Sequence, residues 1–341
     1  MSHVLESLNT ALHQAFAADE RVYLLGEDVL DPYGGAFKVT RGLSSAFPGR
    51  VLTTPISEAG ITGIAAGMAL RGLRPVVEIM FGDFMTLVAD QLTNHIAKFR
   101  WMYNDQVRVP LVLRTPMGGR RGYGPTHSQT LEKMFLGVPG LRVLAPCWIG
   151  DPGRLLAQAI LEDDEPVIFI ENKLLYLLPV QDENALPEFA LTSITYPRLP
   201  EYIPGYAPTY SLKINQAPAA SLTLAAYGYM AELARQAALR LAYEHEIFVE
   251  LVIPTQLAPF ETEPIIASVR RTGRLLTIEE GTLSLGWGAE LQARCAEVLG
   301  PRLRAACRVA AAELPVPASG GLETEILPDV NHIVQTAQRM V

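Results

Sequence analysis

Short apolar runs recur along this chain with helical stretches between them, and no other feature restricts its fold as much. VYLL at 22–25, PVVEIM at 75–80, VPLVLRTP at 109–116, LRVLAP at 141–146 and PVIFIEN at 166–172 each have the length of one buried strand. Helical spacing fills the intervals. Val4, Leu5, Leu8, Ala11, Leu12 and Phe16 share a face over 3–18, and 58–71 and 83–102 are periodic in the same way. The alternation pauses over 195–220, where Pro197, Pro200, Pro204, Pro208 and Pro218 leave little periodicity. It resumes with LTLAAYG at 222–228, a helix over 229–243, IFVELVIP at 247–254, a helix over 261–270 and RLLTIEEG at 274–281. Strands that alternate with helices build parallel sheets covered on both faces. Two parallel-sheet α/β domains are therefore expected, 1–190 and 221–341, joined by a Pro-rich linker over 191–220.

Composition narrows the function classes. Hydrophobic residues make up 49% and charged residues 19%, as in a packed globular chain. The formal net charge of −8 argues against a nucleic-acid binder. The densest basic cluster, Arg120-Arg121, suits a small anion or a carboxylate, or equally two solvated arginines. No apolar run reaches the roughly 18–20 residues of a membrane span. Cys147, Cys295 and Cys307 form no CxxC pair, and the N-terminal stretch is amphipathic and carries acids rather than an apolar signal core. A cytoplasmic protein with no membrane role is expected. GxxxxGK[ST], HExxH and GxSxG are absent, and GWGAEL at 286–291 lacks the third glycine of a dinucleotide fingerprint.

Three segments carry chemistry. In TTPISEAGITGIAAGMALR, 53–71, Ser57 starts a helix with Glu58 in its first turn. A first-turn acid is favoured by the helix dipole and needs no further role. Gly60, Gly63 and Gly67, however, recur at helical spacing, and an interior glycine costs about 1 kcal/mol against alanine. That cost is explicable where another backbone or a cofactor comes close, and a carboxylate at such a helix mouth would be partly desolvated. Phe81 and Phe84 follow a strand end, where α/β sheets place ligands; Phe84 can stack on a flat heterocycle, and Phe81 is expected in the core. The stretch 114–132 carries Gly118, Gly119, Gly122 and Gly124 ahead of His127, a candidate proton donor or acceptor, with a helix expected to start at Ser128.

These segments and their order resemble the β subunit of the decarboxylating component of 2-oxo acid dehydrogenase complexes, a transketolase-related family. GED at 26–28, GGAFKVTRGL at 34–43, RVLTTPISEAGITGIAAGMALRGLRPVVEI at 50–79, VPLVLRTPMGG at 109–119, PTHSQTLE at 125–132 and PVIFIEN at 166–172 carry the likeness. VIPTQLAPFETEPI and the final AAAELPVPASGGLETEILPD depart from the usual pattern. The resemblance implies a transketolase-like pyrimidine-binding domain followed by a transketolase C-terminal-type domain. It implies thiamine diphosphate as cofactor, with Glu58 on a pyrimidine ring nitrogen, Phe84 as the stacking aromatic, Asp28 and Ile56 beside the cofactor, and His127 handling protons during acyl transfer. It further implies an α subunit whose GDG…N motif holds the diphosphate and Mg²⁺ in an α₂β₂ heterotetramer. A lipoyl acyltransferase partner and a 2-oxo acid substrate, pyruvate or branched-chain, complete the expectation. The chain itself has no GDG. A K⁺ site is implied at carbonyls near Ala159, Ile160 and Asp163. Alternatives are an acetoin-cleaving or dedicated acyl-generating enzyme, and a non-catalytic scaffold that kept the fold.

Overall fold

The computed structural model describes residues 2–195 and 205–341; Met1 and the segment holding Pro197, Pro200 and Pro204 lie outside the described residues. The first half supplies β1 (Val22–Gly26), β2 (Val51–Thr53), β3 (Arg74–Glu78), β4 (Val112–Met117), β5 (Arg142–Leu144) and β6 (Val167–Asn172). The second half supplies β7 (Phe189–Ile194), β8 (Thr209–Ile214), β9 (Leu222–Ala226), β10 (Val249–Pro254), β11 (Gln256–Ala258), β12 (Arg274–Thr282) and β13 (Ala305–Ala311). They form two sheets, β11-β5-β6-β4-β3-β1-β2 and β13-β12-β9-β10-β8-β7.

The expected alternation is present, with two corrections. The sheets are mixed: β11 runs antiparallel to β5, and β8 runs antiparallel to both β10 and β7. The stretch expected as a linker over 191–220 supplies β8 and most of β7, which extend the second sheet to its edge. Prolines did not prevent this because Pro208 and Pro218 flank β8 rather than interrupt it, and β7 is an edge strand. In β11, the second half reaches back to cover an edge of the first sheet.

Strand alternation divides most of the interior into two large cores, beside a small cluster of Ala311, Val316 and Leu327. Leu24, Val76, Val112, Phe169, Leu224 and Ile253 enter one. Their chain neighbours Leu25, Val77, Leu113, Ile168, Ala225 and Val252 enter the other. Each core draws on both sheets, so the halves share their apolar interior.

The helix over 3–18 is observed as Val4–Ala18, and the one opening at Glu58 as Glu58–Leu70. The stretch 83–102 is not one helix. It breaks into 3₁₀ turns at Gly82–Val88 and Ile96–Lys98, a π turn at Gln91–His95 and an α turn at Phe99–Met102. The hydroxyls of Thr86 and Thr93 donate back to the carbonyls of Asp83 and Ala89, which distorts a regular ladder.

Candidate active site

Five neighbouring parallel strands, β2, β1, β3, β4 and β6, end on one edge of the first sheet. The chain leaving each carboxyl end carries a chemically notable side chain, the usual placement of ligand sites in such sheets. Glu58 follows β2, Glu27 and Asp28 follow β1, Phe81 and Phe84 follow β3, the glycine-rich loop with His127 follows β4, and Lys173 follows β6.

Glu58 is buried as the first residue of its helix. Beside it stands Glu27, which the sequence reading passed over in favour of Asp28. Burial, and then the Glu58 charge, push the Glu27 carboxyl up, against a hydrogen bond from the Ser57 amide. Oε1 of Glu27 is buried without a partner among the described residues. Asp28, by contrast, is exposed at φ +53°. Ile56 is 84% exposed, so this chain alone builds no pocket around it. Gly63 and Gly67 have no described residue beyond their own helix turn within 4 Å of where a Cβ would sit. At Gly60 the close neighbour is the Ser57 hydroxyl, 2.9 Å from where a Cβ would sit; at Gly63 and Gly67 the inferred close approach comes from no described residue of this chain.

The aromatic residues gather around His127. Its ring lies 4.7 Å from Phe81 and 5.3 Å from Phe84, both edge-on. Phe81 is the hub of the cluster, also touching Phe37, Phe84 and Tyr123 at 5.7–5.9 Å. It is only partly buried, so the expectation of a purely core residue is corrected. Nδ1 of His127 sits 3.0 Å from the Thr126 hydroxyl. No helix starts at Ser128; a 3₁₀ turn at Glu132–Met134 follows instead. The Gln129 amide and side chain are bound to Asp83 Oδ1, which ties this segment to the turn carrying Phe84.

Lys173 was not singled out from the sequence, where it reads as one more charge after a strand. It is buried, and its ammonium donates to the carbonyls of Gly118, at 2.8 Å, and His127. Burial pushes it down to about 8, against the nearby charges of Asp83 and Glu280. Beneath the site, buried Arg114 forks to Glu171 at 2.8 and 2.6 Å and pairs with Glu78.

The buried Glu58 with the partly buried Glu27 beside it, an aromatic edge and a histidine at one sheet edge suit the pyrimidine end of thiamine diphosphate, a heterocycle with ring nitrogens and an amino group. The potassium site does not fit as well. Arg74 donates from Nε to the Ile160 carbonyl at 2.5 Å and from Nη2 to that of Asp163. The Asp163 carboxylate accepts from Arg142 and Tyr206, both at 2.8 Å. A fixed cation already holds two of the three carbonyls expected to coordinate the ion, those of Ile160 and Asp163.

Fold and site together define a transketolase-type chain. The family described as "Transketolase, pyrimidine binding domain" matches residues 3–178, and "Transketolase, C-terminal domain" matches 212–333. More particularly, the chain belongs to the family of pyruvate dehydrogenase E1 component beta subunits. It is 39% identical over 340 residues to the mitochondrial subunit beta-2 of Oryza sativa subsp. japonica, covering 98% of this chain and 85% of the relative. It is 34% identical to the subunit beta of Rickettsia conorii, covering 99% of this chain and 97% of the relative. A solved "Split gene transketolase, inactive beta4 tetramer" shares the fold at a TM-score of 0.69 and 19% identity, covering 99% of this chain and 98% of that one.

Proposed function

We propose that this chain is the β subunit of a thiamine-diphosphate-dependent 2-oxo acid dehydrogenase, an oxidoreductase that decarboxylates pyruvate or a branched-chain 2-oxo acid and passes the acyl group to a lipoyl group. The observation that carries the reading is that Glu58, Phe84 and His127 all lie on segments leaving the carboxyl ends of β2, β3 and β4, on one edge of the first sheet. When bound, the cofactor supplies the electron sink for loss of CO₂. Glu58, buried at its helix start, would hydrogen-bond a pyrimidine ring nitrogen and so help move a proton on that ring. Phe84 would bound the heterocycle, Asp28 and Ile56 would lie beside it, and His127 would act as acid during acyl transfer.

The chain is half of a site. It has no GDG sequence, so the diphosphate and Mg²⁺ fall to an α subunit carrying the GDG…N motif. The bare Gly63–Gly67 face with exposed Ile64, and the exposure of Ile56, support a partner seated over the site in an α₂β₂ assembly. A lipoyl acyltransferase would receive the acyl group. The three free cysteines suit the cytoplasm, and no helix among the described residues is long and apolar enough to cross a membrane.

The test is co-expression with a GDG-bearing α chain and assay of 2-oxo acid decarboxylation with an artificial electron acceptor. Activity is expected from the pair and not from this chain alone. Glu58→Gln should lose about 10²-fold or more in kcat, as for removal of a positioned proton-handling group. Undiminished turnover in that variant would overturn the reading.

A further inference from the structure

The loop between Gly118 and His127 is held mainly by the other domain. Gly118, Arg120, Gly122 and Gly124 all lie at positive φ, between +64° and +97°. Arg120 is not a glycine, and a left-handed residue of its size persists only where its surroundings fix it. What fixes it comes from the second half of the chain. Its amide donates to Glu323 Oε1 at 2.5 Å, its Nη1 to Glu280 Oε2 at 2.9 Å, and its Nη2 to the Pro328 carbonyl. The same two carboxylates take the neighbouring amides: Gly119 to Glu280 at 2.6 Å and Gly122 to Glu323 at 3.3 Å. Both acids are buried, at 4% and 3% exposure, so these charge-assisted bonds are shielded from water. The fit is close. A Cβ on Gly119 would come within 2.6 Å of Leu327 and 2.9 Å of Glu323. From beneath, Lys173 holds the two ends of the loop by the carbonyls of Gly118 and His127.

We propose that Glu323, carried on the short helix Gly320–Ile326 of the C-terminal domain, is a positioning residue for His127. By binding two amides of the glycine-rich loop it holds His127 against Phe81 and Phe84. The C-terminal segment that departs from the family pattern thereby acquires a task at the active site although it contributes no group to the chemistry. This rests on the role proposed for His127.

The test uses the full chain and its assembly with an α partner. Hydrogen exchange is followed at the amides of 119–124, with β4 as the internal reference. Steady-state kinetics are measured on the same preparations. Glu323→Ala should speed exchange in the loop at least about tenfold, because two amides lose a charged acceptor. It should leave β4 unchanged, lower kcat by about tenfold and move KM less than about twofold, the pattern of lost transition-state interactions. Glu323→Gln keeps one acceptor oxygen and should recover part of both effects. Gly119→Ala pushes on the clamp from the loop side and should give the same kcat loss if Glu323→Ala folds poorly. Unchanged loop exchange in Glu323→Ala and Gly119→Ala would overturn the clamp. A loosened loop with normal kcat, where His127→Ala is inactive, would overturn the positioning role. An active His127→Ala would instead overturn the role proposed for His127 and with it the positioning claim, leaving the clamp itself to the exchange data.

Discussion

Arg114 sits between two carboxylates with 1% of its side chain exposed, and its guanidinium is what keeps Glu78 and Glu171 tolerable inside the protein. Burial pushes the Glu78 carboxyl up even with that partner present. Arg114→Met would leave both acids buried and only Glu171 with a neutral donor, the Tyr176 hydroxyl at 2.6 Å. Removing one partner of such a cluster costs about 3–5 kcal/mol. Urea unfolding should show that loss, and adding Glu78→Gln should restore part of it; an unchanged midpoint in the single variant would contradict the account. The consequence reaches the site, because the Glu78 carboxyl packs against Gly35, two residues before Phe37, and Phe37 touches the Phe81 ring. At this scale the sequence was readable where a local pattern marked a residue. Glu58 stood out by its helix start and glycine spacing, and His127 by its loop. Glu27 and Lys173 carry no such mark. Each is one charge beside a strand end, and its importance comes from groups distant in the chain: Ser57 and Glu58 for Glu27, Gly118 and His127 for Lys173.

The helix Trp287–Leu299 shows what a local motif conceals at the level of an element. GWGAEL has the look of a phosphate-binding turn, but its glycines make room for a side chain of the protein itself. A Cβ at Gly286 would lie 2.5 Å from Glu279 Oε2, and one at Gly288 would meet the Thr277 hydroxyl, closer still, and lie 2.9 Å from Glu279 Oε1. Glu279 accepts the Gly288 amide at 3.0 Å, so a carboxyl takes the place an anion would have. Burial, then the nearby Glu132 charge, push this carboxyl up to about 7. The folded state thus keeps a proton that the unfolded chain releases near 4.5. The stabilisation from that proton is complete below the unfolded value and is lost as pH rises through about 7. Glu279→Gln, which cannot ionise, should therefore gain on the wild type by about 2.5 kcal/mol between pH 5 and pH 8. Paired urea titrations at the two pH values measure this, and a stability difference independent of pH would refute it. The Arg74 guanidinium similarly fills the loop after the helix Pro152–Leu161. The melting temperature should then agree to within about 1 °C in potassium and choline chloride at equal ionic strength, since a potassium ion bound to the folded state would raise it in the former. Elements defined by local periodicity, such as Val4–Ala18 and β6, were legible; β8 and β11 were not, because their pairing partners are remote and their own runs are short.

At the scale of the whole molecule, the helix Glu58–Leu70 faces two ways. Ile61, Ala65 and Ala69 are buried in this chain, while Gly63, Ile64 and Gly67 are exposed on the other side, Ile64 at 62%. Nothing among the described residues requires glycine at 63 or 67, for both have open space where a Cβ would be and neither has positive φ. Glycine in a helix interior costs roughly 0.5–1 kcal/mol against alanine, so the fold of this chain alone would favour replacement. The assembly proposed above supplies the opposing requirement, since a second backbone can come close only to a bare helix face. The two demands separate experimentally. Gly67→Ala should stabilise the isolated chain by roughly 0.5–1 kcal/mol in thermal unfolding. Gly67→Leu should leave the isolated chain folded, its side chain pointing into open space, yet prevent co-purification with the α partner and reduce the sedimentation coefficient of what is recovered. If Gly67→Leu assembled normally, that helix face would not be the contact, and the glycines would need another explanation. If instead the isolated variant unfolded, the open space beside Gly67 would be filled in solution by this chain itself.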